Sequence, residues 1–437
     1  MRAPLYSWGC FPCSPQTAHA CRWRSDVSAL LDRVVGEHGS TLPYGNGRSY
    51  GDSCLAVSDQ VLHMRSLDRF IEVDWQRGIL LAEAGVTLAE ILAIAIPRGW
   101  FLSVTPGTQF ATLGGAMAND VHGKNHHRRG TFGNHVRRFG LLRHGEEILT
   151  CSPQDHPELY AATLGGLGLT GVITWVEIQL MPIRSSQIDC TLVRFNELAE
   201  FFALSAELDH QHEYSVAWID CLAKGAQAGR GVFIVGEHAP YGSLEVDERA
   251  KLHVPLTPPL SLVNNLSLRI FNEGYWRLHP ATRTRKRCSY EPFFYPLDRI
   301  LHWNRIYGRK GFQQYQCVIP DAVAEVALRD LLNAIALSGQ GSFLAVLKRC
   351  GDIVSPGLLS FPLPGTSLAL DFPQKVDLSA LFARLDAIVR EAGGRLYPAK
   401  DAHMSGSDFR QAYPAWEQLE ALRDSTLISR FWKRVTE

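Results

Sequence analysis

The chain has 437 residues, a length that suggests roughly two or three domains, and its 44 Lys and Arg against 44 Asp and Glu leave no net charge. That balance excludes a global electrostatic pull toward nucleic acid or an anionic membrane, and 46% hydrophobic with 20% charged residues excludes a disordered chain. No stretch approaches the roughly 18 apolar residues of a membrane span, because the run 91–96 stops at Pro97.

In chain order, the N-terminus holds Pro4, Pro12 and Pro15 without a continuous apolar core, so no signal peptide is expected. Ten cysteines then suit a reducing, cytoplasmic setting. Cys10 and Cys13 form a C-x-x-C near His19 and Cys21, but no second pair completes a zinc site, and no metal is expected there. β-Branched and aromatic content predicts strands over 61–66, 71–75, 79–84, 137–143 and 172–181. A helix begins at Thr87 with Glu90 as capping-box partner; Leu88, Ile91, Leu92, Ala95 and Ile96 share its face, and Pro97 and Gly99 end it. From 186 to 395 the texture changes. A strand is predicted over 311–319, a helix over 321–337, strands over 342–348 and 367–372, a helix over 378–391 and a last strand over 395–398. That β-α-β-β-α-β order is a split-βαβ unit and makes the chain α+β.

Four segments, 43–52, 105–108, 113–125 and 165–171, concentrate Gly with Asn, Ser, Thr and Arg. Glycine lets the backbone adopt positive φ and approach a ligand, so that successive amides can face a phosphate. Tight turns between strands are the alternative for one such run; four of them within 130 residues favour a cradle. Gly166, Gly168 and Gly171 match G-x-G-x-x-G, yet the helical pattern over 157–164 precedes them and the strand follows, the reverse of a dinucleotide-binding elbow. His122 and His126 have the i, i+4 spacing of a metal pair, but Gly123 and Asn125 disfavour a helix and no Glu stands where H-E-x-x-H needs one, so a metal-dependent hydrolase is disfavoured.

The runs PYGNGRSYGD, TPGT, LGGAMANDVHGKNHH, GTFGNHVRR and GGLGLTGVI, with WNRIYGRKGFQQYQCVIP, FLAVLKRCG and LYPAKD further on, resemble the vanillyl-alcohol-oxidase superfamily of PCMH-type flavoproteins. Within it the likeness is to the branch that oxidises a ribose carried on decaprenyl phosphate. The resemblance implies a two-subdomain PCMH-type FAD-binding domain over 1–185 and an α+β substrate domain over 186–395, its antiparallel sheet covered by helices. A C-terminal segment, 396–437, would return to the flavin domain. It implies an FAD held by Gly45, Asn46, Gly47, Arg48, Ser49 and Tyr50 around the pyrophosphate. Further contacts would come from Pro106, Gly107, Thr108, Gly114, Gly115, Ala116, Asn119, His122, Gly123, Asn125, Ile173 and Tyr397. Many members tether the flavin through a histidine in the first run; Arg48 stands in that place here, so a noncovalent FAD is expected.

Hydride transfer from a carbinol carbon to flavin N5 needs a group to take the hydroxyl proton and a positive charge beside the reduced flavin. The resemblance gives these catalytic roles to Lys400, Lys124 and Tyr50, and substrate contacts to Gln314, Gln316, Lys348 and Trp218. The residues alone leave other readings open: Lys400 as a solvated lysine paired to Asp401, and Gln314 and Gln316 as the solvent side of an alternating strand. In that branch an Asn-x-Cys-x-Asp-Phe-Pro segment is found where this chain has Ser367, Ala369, Asp371, Phe372 and Pro373, and a Tyr-His-Pro-Leu-Asp where it has Phe294, Tyr295, Pro296, Leu297 and Asp298.

The expected activity is oxidation of a secondary hydroxyl on a sugar or polyprenyl-phosphosugar, as the oxidising half of an epimerisation shared with a short-chain reductase partner. A sugar-alcohol or aldonolactone oxidase using O₂, and a non-catalytic flavin or lipid-phosphate binder, are the alternatives. No nucleic-acid partner is expected. The apolar-rich stretch 260–276 followed by the basic run 283–287 is consistent with peripheral contact at the inner membrane face, or with an ordinary loop and a solvated charge run.

Overall fold

The computed structural model describes residues 4–247 and 251–437. Its first part is built from two sheets. Thr17–Ala20, Gln60–His63 and Leu42–Tyr44 form a small parallel sheet with Gln60–His63 in the middle. An antiparallel sheet then runs Phe70–Asp74, Ile79–Glu83, Val172–Pro182, Val136–Leu142 and Leu149–Cys151, with Trp100–Leu102 also paired to the long central strand. The predicted strand over 61–66 breaks after His63 into a tight turn, Met64–Ser66.

The helix foreseen at Thr87 spans Leu88–Ala95. Thr87 Oγ1 accepts from the Glu90 amide at 3.3 Å, and Glu90 Oε2 accepts from the Thr87 amide at 2.8 Å. Leu88, Ile91, Leu92 and Ala95 are fully buried against the sheet, the three larger ones contributing about 1.5–3 kcal/mol each. Gly99, at φ 79°, turns the chain out of the helix. Helix Pro157–Thr163 does precede the fourth glycine run and strand Val172–Pro182 follows it, so the formal dinucleotide motif is a helix-to-strand connection.

The second part is built on an eight-stranded antiparallel sheet, with Leu252–His253 and Ile300–Leu301 forming a small parallel pair beside it. The order of the large sheet is Thr284–Ser289, Gln187–Phe195, Gly231–His238, Tyr214–Ile219, Ala345–Cys350, Gly365–Pro373, Phe312–Pro320 and Arg395–Leu396. The last four strands and helices Ala324–Ser338 and Ser379–Glu391 are the predicted βαββαβ unit. The first four strands repeat its order in mirror sense, which the sequence reading missed, and the two units meet at Ala217–Leu347 and Trp218–Val346. Read as a basic run, 283–287 is mostly the edge strand Thr284–Ser289, whose charges protect an unpaired edge from further pairing.

Side-chain alternation divides this sheet into two faces. Ala217, Ile219, Tyr315, Cys317, Leu347, Leu368 and Leu370 enter the large core beneath helices Leu198–Leu208, Ala324–Ser338 and Ser379–Glu391. Val216, Trp218, Gln314, Gln316, Lys348, Ser367 and Ala369 face the other way, toward the glycine loops of the first part. Helix Asn265–Leu278 lies on that second side, Tyr275 meeting Trp218 at 4.6 Å between ring centroids.

After Arg395–Leu396 the chain returns to the first part. Leu427 bridges to Thr41 and Ser429 to Ala56. Helix Arg430–Thr436 brings Arg434 between Asp52 and Asp401, 2.8 Å from each carboxylate. Gly51 is needed there for packing: a Cβ would run into the Asp401 carbonyl oxygen. Among the described residues no helix is long and apolar enough to cross a membrane.

Candidate active site

The glycine loops and the open sheet face enclose a cavity of about 660 Å³, within the range of small-molecule and cofactor sites. Gly45, Asn46, Gly47, Arg48, Ser49 and Tyr50 line it on one side, and Pro106, Gly107, Thr108, Gly114, Gly115, Asn119, His122, Gly123 and Ile173 continue the wall. Lys124, Trp218, Gln314, Gln316, Lys348, Tyr397 and Lys400 line it as well. Two predicted contacts lie elsewhere. Ala116 is fully buried in the core behind the wall, and Asn125 gives its amide to the Ser103 carbonyl and the Glu213 carboxylate at 2.9 and 3.0 Å, fixing the loop from behind.

The loop after Tyr44 is shaped for this wall. Gly47 has φ 60°, and a Cβ there would strike the Tyr44 hydroxyl. Asn46 donates to the Phe110 carbonyl at 2.8 Å, tying two glycine loops together. Arg48 lies with its guanidinium carbon 4.0 Å from the Trp8 ring centroid and 5.1 Å from that of Phe110, a stacked cation at the cavity wall. Its Nε is buried with no hydrogen-bond partner. A buried guanidinium donor left over at a glycine-lined wall is what an anionic pyrophosphate satisfies, so Arg48 and its loop fit FAD.

Histidines 122 and 126 separate in the fold. His122 Nε2 is 3.1 Å from Gln316 Nε2 and its ring lies against Tyr397 and Phe361, while His126 Nδ1 accepts from the Gly351 amide. Burial holds both rings neutral, His126 down to about 3. Tyr397 donates to the Asn119 carbonyl at 2.8 Å, and Cys10 and Cys13 are free thiols.

Three lysines converge on the cavity. Desolvation lowers Lys400 to about 7, against the opposing pull of Asp371, and lowers Lys348 to about 8. Lys124 falls to about 8 by desolvation and then by the Lys348 charge; its Nζ donates to the Phe294 carbonyl at 3.3 Å. Lys400 Nζ stands 3.6 Å over the Tyr50 ring centroid. It is not paired to Asp401, whose carboxylate accepts from Arg434 and the Met404 amide. The Tyr50 hydroxyl, driven well above its ordinary range by burial, stays protonated and so cannot serve as the base.

Gln314 and Gln316 do not face solvent. Gln314 is buried and donates to Asp371 Oδ1 at 2.6 Å. Burial raises Asp371 to about 7. Asp371, Trp8 and Asp298 also shape the site, with roles not expected from the sequence. Asp298 Oδ2 accepts from the Gln109 amide at 2.7 Å and from Thr108 at 3.1 Å, shaping the second glycine loop. The sequence signal for Asp371 is its spacing: it falls on the same strand face as Ser367 and Ala369, and the fold sets it directly opposite Gln314 in antiparallel register.

An FAD binding domain family matches residues 15–152. Decaprenylphosphoryl-beta-D-ribose oxidase of Mycolicibacterium smegmatis is 35% identical over 411 residues, 91% of this chain and 89% of that protein. An uncharacterised protein of Streptomyces coelicolor is 33% identical over 353 residues, 77% of this chain and 95% of its own. L-gulonolactone oxidase of Mus musculus is 24% identical over 173 residues, 39% of each chain. Likeness over 91% of its length places the chain in the decaprenylphosphoryl-β-D-ribose oxidase family of PCMH-type, FAD-dependent oxidoreductases.

Proposed function

We propose that this protein oxidises a secondary hydroxyl of a sugar carried on a polyprenyl phosphate, with noncovalent FAD, as the first half of an epimerisation completed by a short-chain reductase. The observation that carries this reading is the Lys400 amine, lowered to about 7 inside the cavity and held over Tyr50. FAD, when bound, supplies the hydride acceptor. Lys400 in its neutral form takes the hydroxyl proton, and Tyr50 and Gln314 fix where that hydroxyl sits. Lys124 and Lys348 place positive charge for anionic groups of cofactor and substrate. Beyond them the cavity becomes apolar, with Leu192, Ile234, Phe271 and Tyr275 suited to the first units of a prenyl chain.

Anaerobic mixing tests the reading directly. A polyprenyl-phosphoryl pentose bleaches the bound flavin, whereas free aldonolactones and polyols do not; bleaching by the latter alone would reject it. Acid precipitation leaves FAD in the supernatant, and flavin that pellets with the protein would contradict the noncovalent assignment. The likeness to L-gulonolactone oxidase supports a second reading, an oxidase using O₂. Rapid reoxidation of the substrate-reduced flavin by air favours that second reading.

The substrate end of the cavity carries Ser367, Ala369 and Phe294. Electrophiles that capture a cysteine at the position of Ala369 in this branch form no adduct on the peptide carrying residue 369, as peptide mass spectrometry after incubation will show. The methyl group of alanine has no nucleophile to offer.

A further inference from the structure

Within this neutral chain, residues 251–310 hold eleven Lys and Arg against three Asp and Glu. The same segment presents a row of bare apolar side chains. Leu262, Leu266, Ile270 and Leu278 recur at multiples of four along and just before helix Asn265–Leu278, and each is 60–80% exposed. Leu266 and Ile270, about one turn apart, share one edge of the helix, and Leu262 and Leu278 extend the apolar surface at its two ends. The buried edge is Leu268, Asn272 and Trp276, and a third edge, with Phe271 and Tyr275, lines the cavity. This helix is therefore a wall of the active site whose outer surface is also apolar. Contiguous exposed apolar surface of this kind marks a contact site.

Cations border the row. Arg269 is one residue from Ile270 and three from Leu266. Arg309 and Lys310, both exposed, follow the turn whose Ile306 carbonyl accepts from the Leu262 amide at 2.9 Å. That turn is tight because Gly308, at φ 80°, lets the Leu260 backbone approach; a Cβ would come within 2.9 Å of it. Part of this positive charge is already neutralised, Arg277 by Glu273, Arg283 by Glu207 and Arg287 by Asp189. Arg269, Arg309 and Lys310 have no carboxylate partner among the described residues.

We infer that helix Asn265–Leu278 and the adjoining turns dock the protein on an anionic phospholipid bilayer, the apolar row entering the acyl boundary and Arg269, Arg309 and Lys310 facing the headgroups. An amphipathic helix with apolar and cationic flanks has that binding mode. The purpose of the contact rests on the lipid-borne substrate proposed above: the helix touching the bilayer is also the one whose Phe271 and Tyr275 line the apolar end of the cavity.

Vesicle co-sedimentation of the full flavoprotein tests docking without any turnover, so its failure leaves the proposed activity standing, and failed turnover leaves docking standing. The protein pellets with phosphatidylglycerol vesicles at low salt and about tenfold less with phosphatidylcholine. The double variant Arg269→Glu/Lys310→Glu lowers the bound fraction about tenfold, and Leu266→Ser/Ile270→Ser abolishes it. Both variants retain flavin absorbance and are bleached at the wild-type rate by detergent-dispersed substrate. Wild-type protein that stays in the supernatant with phosphatidylglycerol, or variants that pellet like wild type, would overturn the assignment. So would a dimer in sedimentation velocity that Leu266→Ser/Ile270→Ser dissociates, because the row would then be covered by a second copy.

Discussion

Lys400→Met yields a flavoprotein whose cofactor is reduced by substrate about 10²- to 10⁴-fold more slowly than in the wild type, the range lost with a positioned acid–base group. Stopped-flow bleaching under argon measures it, and flavin absorbance per protein reports whether the cofactor is kept. The wild-type rate rises with pH, because burial has brought Lys400 to about 7 and the neutral amine is the form that accepts a proton. The limb is centred near pH 7, and Asp371→Asn moves it to lower pH, since the carboxylate opposes the desolvation of the lysine. Met preserves the length of the side chain and its contact with the Tyr50 ring while removing the nitrogen. A Lys400→Met protein reduced at the wild-type rate, or a flat wild-type profile between about pH 6 and 8, would remove Lys400 from the chemistry.

Arg434→Ala destabilises the protein by about 3–5 kcal/mol, the cost of leaving buried Asp52 without its cation and Asp401 with His403 alone. Asp52 and Asp401 are both buried, and both accept from Arg434 Nη2 at 2.8 Å, while Nε gives Asp52 a second bond at 3.0 Å. Urea unfolding followed by tryptophan emission measures the shift. Arg434→Lys recovers only part of it, because an ammonium cannot reproduce the paired Nε and Nη2 bonds to Asp52 together with the Nη1 bond to the Met404 carbonyl. The loss reaches the active site as well: Asp401 follows Lys400 directly, and the Tyr50 amide donates to the Ala399 carbonyl at 3.0 Å. An unchanged urea midpoint in Arg434→Ala would show that the C-terminal helix does not secure this corner.

The glycine runs, the capping box at Thr87 and the alternation of Gln314 and Gln316 are local patterns, and each was legible because its cause lies within a few residues. Local pattern also rejected the dinucleotide motif, since helix and strand order is written along the chain. What was not legible depends on partners brought together by folding. Arg434 meets Asp52 across 382 residues, and the orientation of Arg48 is set by Trp8 and Phe110, which no spacing rule connects. The first βαββαβ unit escaped for a physical reason. Its return strand, Thr284–Ser289, is an exposed edge rich in Arg and Lys, so it has the pattern of a charge run and not of a half-buried strand. Lys400 was found by resemblance; the pairing with Asp401 that its neighbourhood suggested gave way to burial, since Arg434 had taken that carboxylate.

The sheet seam at Ala217–Leu347 has a bearing on evolvability. One unit contributes Trp218, Val216 and Ile234 to the cavity, and the other contributes Gln314, Gln316 and Lys348. The apolar end and the reactive end of the pocket thus belong to separately connected stretches of chain that share two paired positions. If the proposed substrate is the true one, substitutions in 187–289 would retune which tail is accepted without disturbing Gln314, Gln316 and Lys348, and changes at Ser367 or Ala369 would alter the sugar without touching the tail. Its two chemically unlike ends would be read by two independently variable modules.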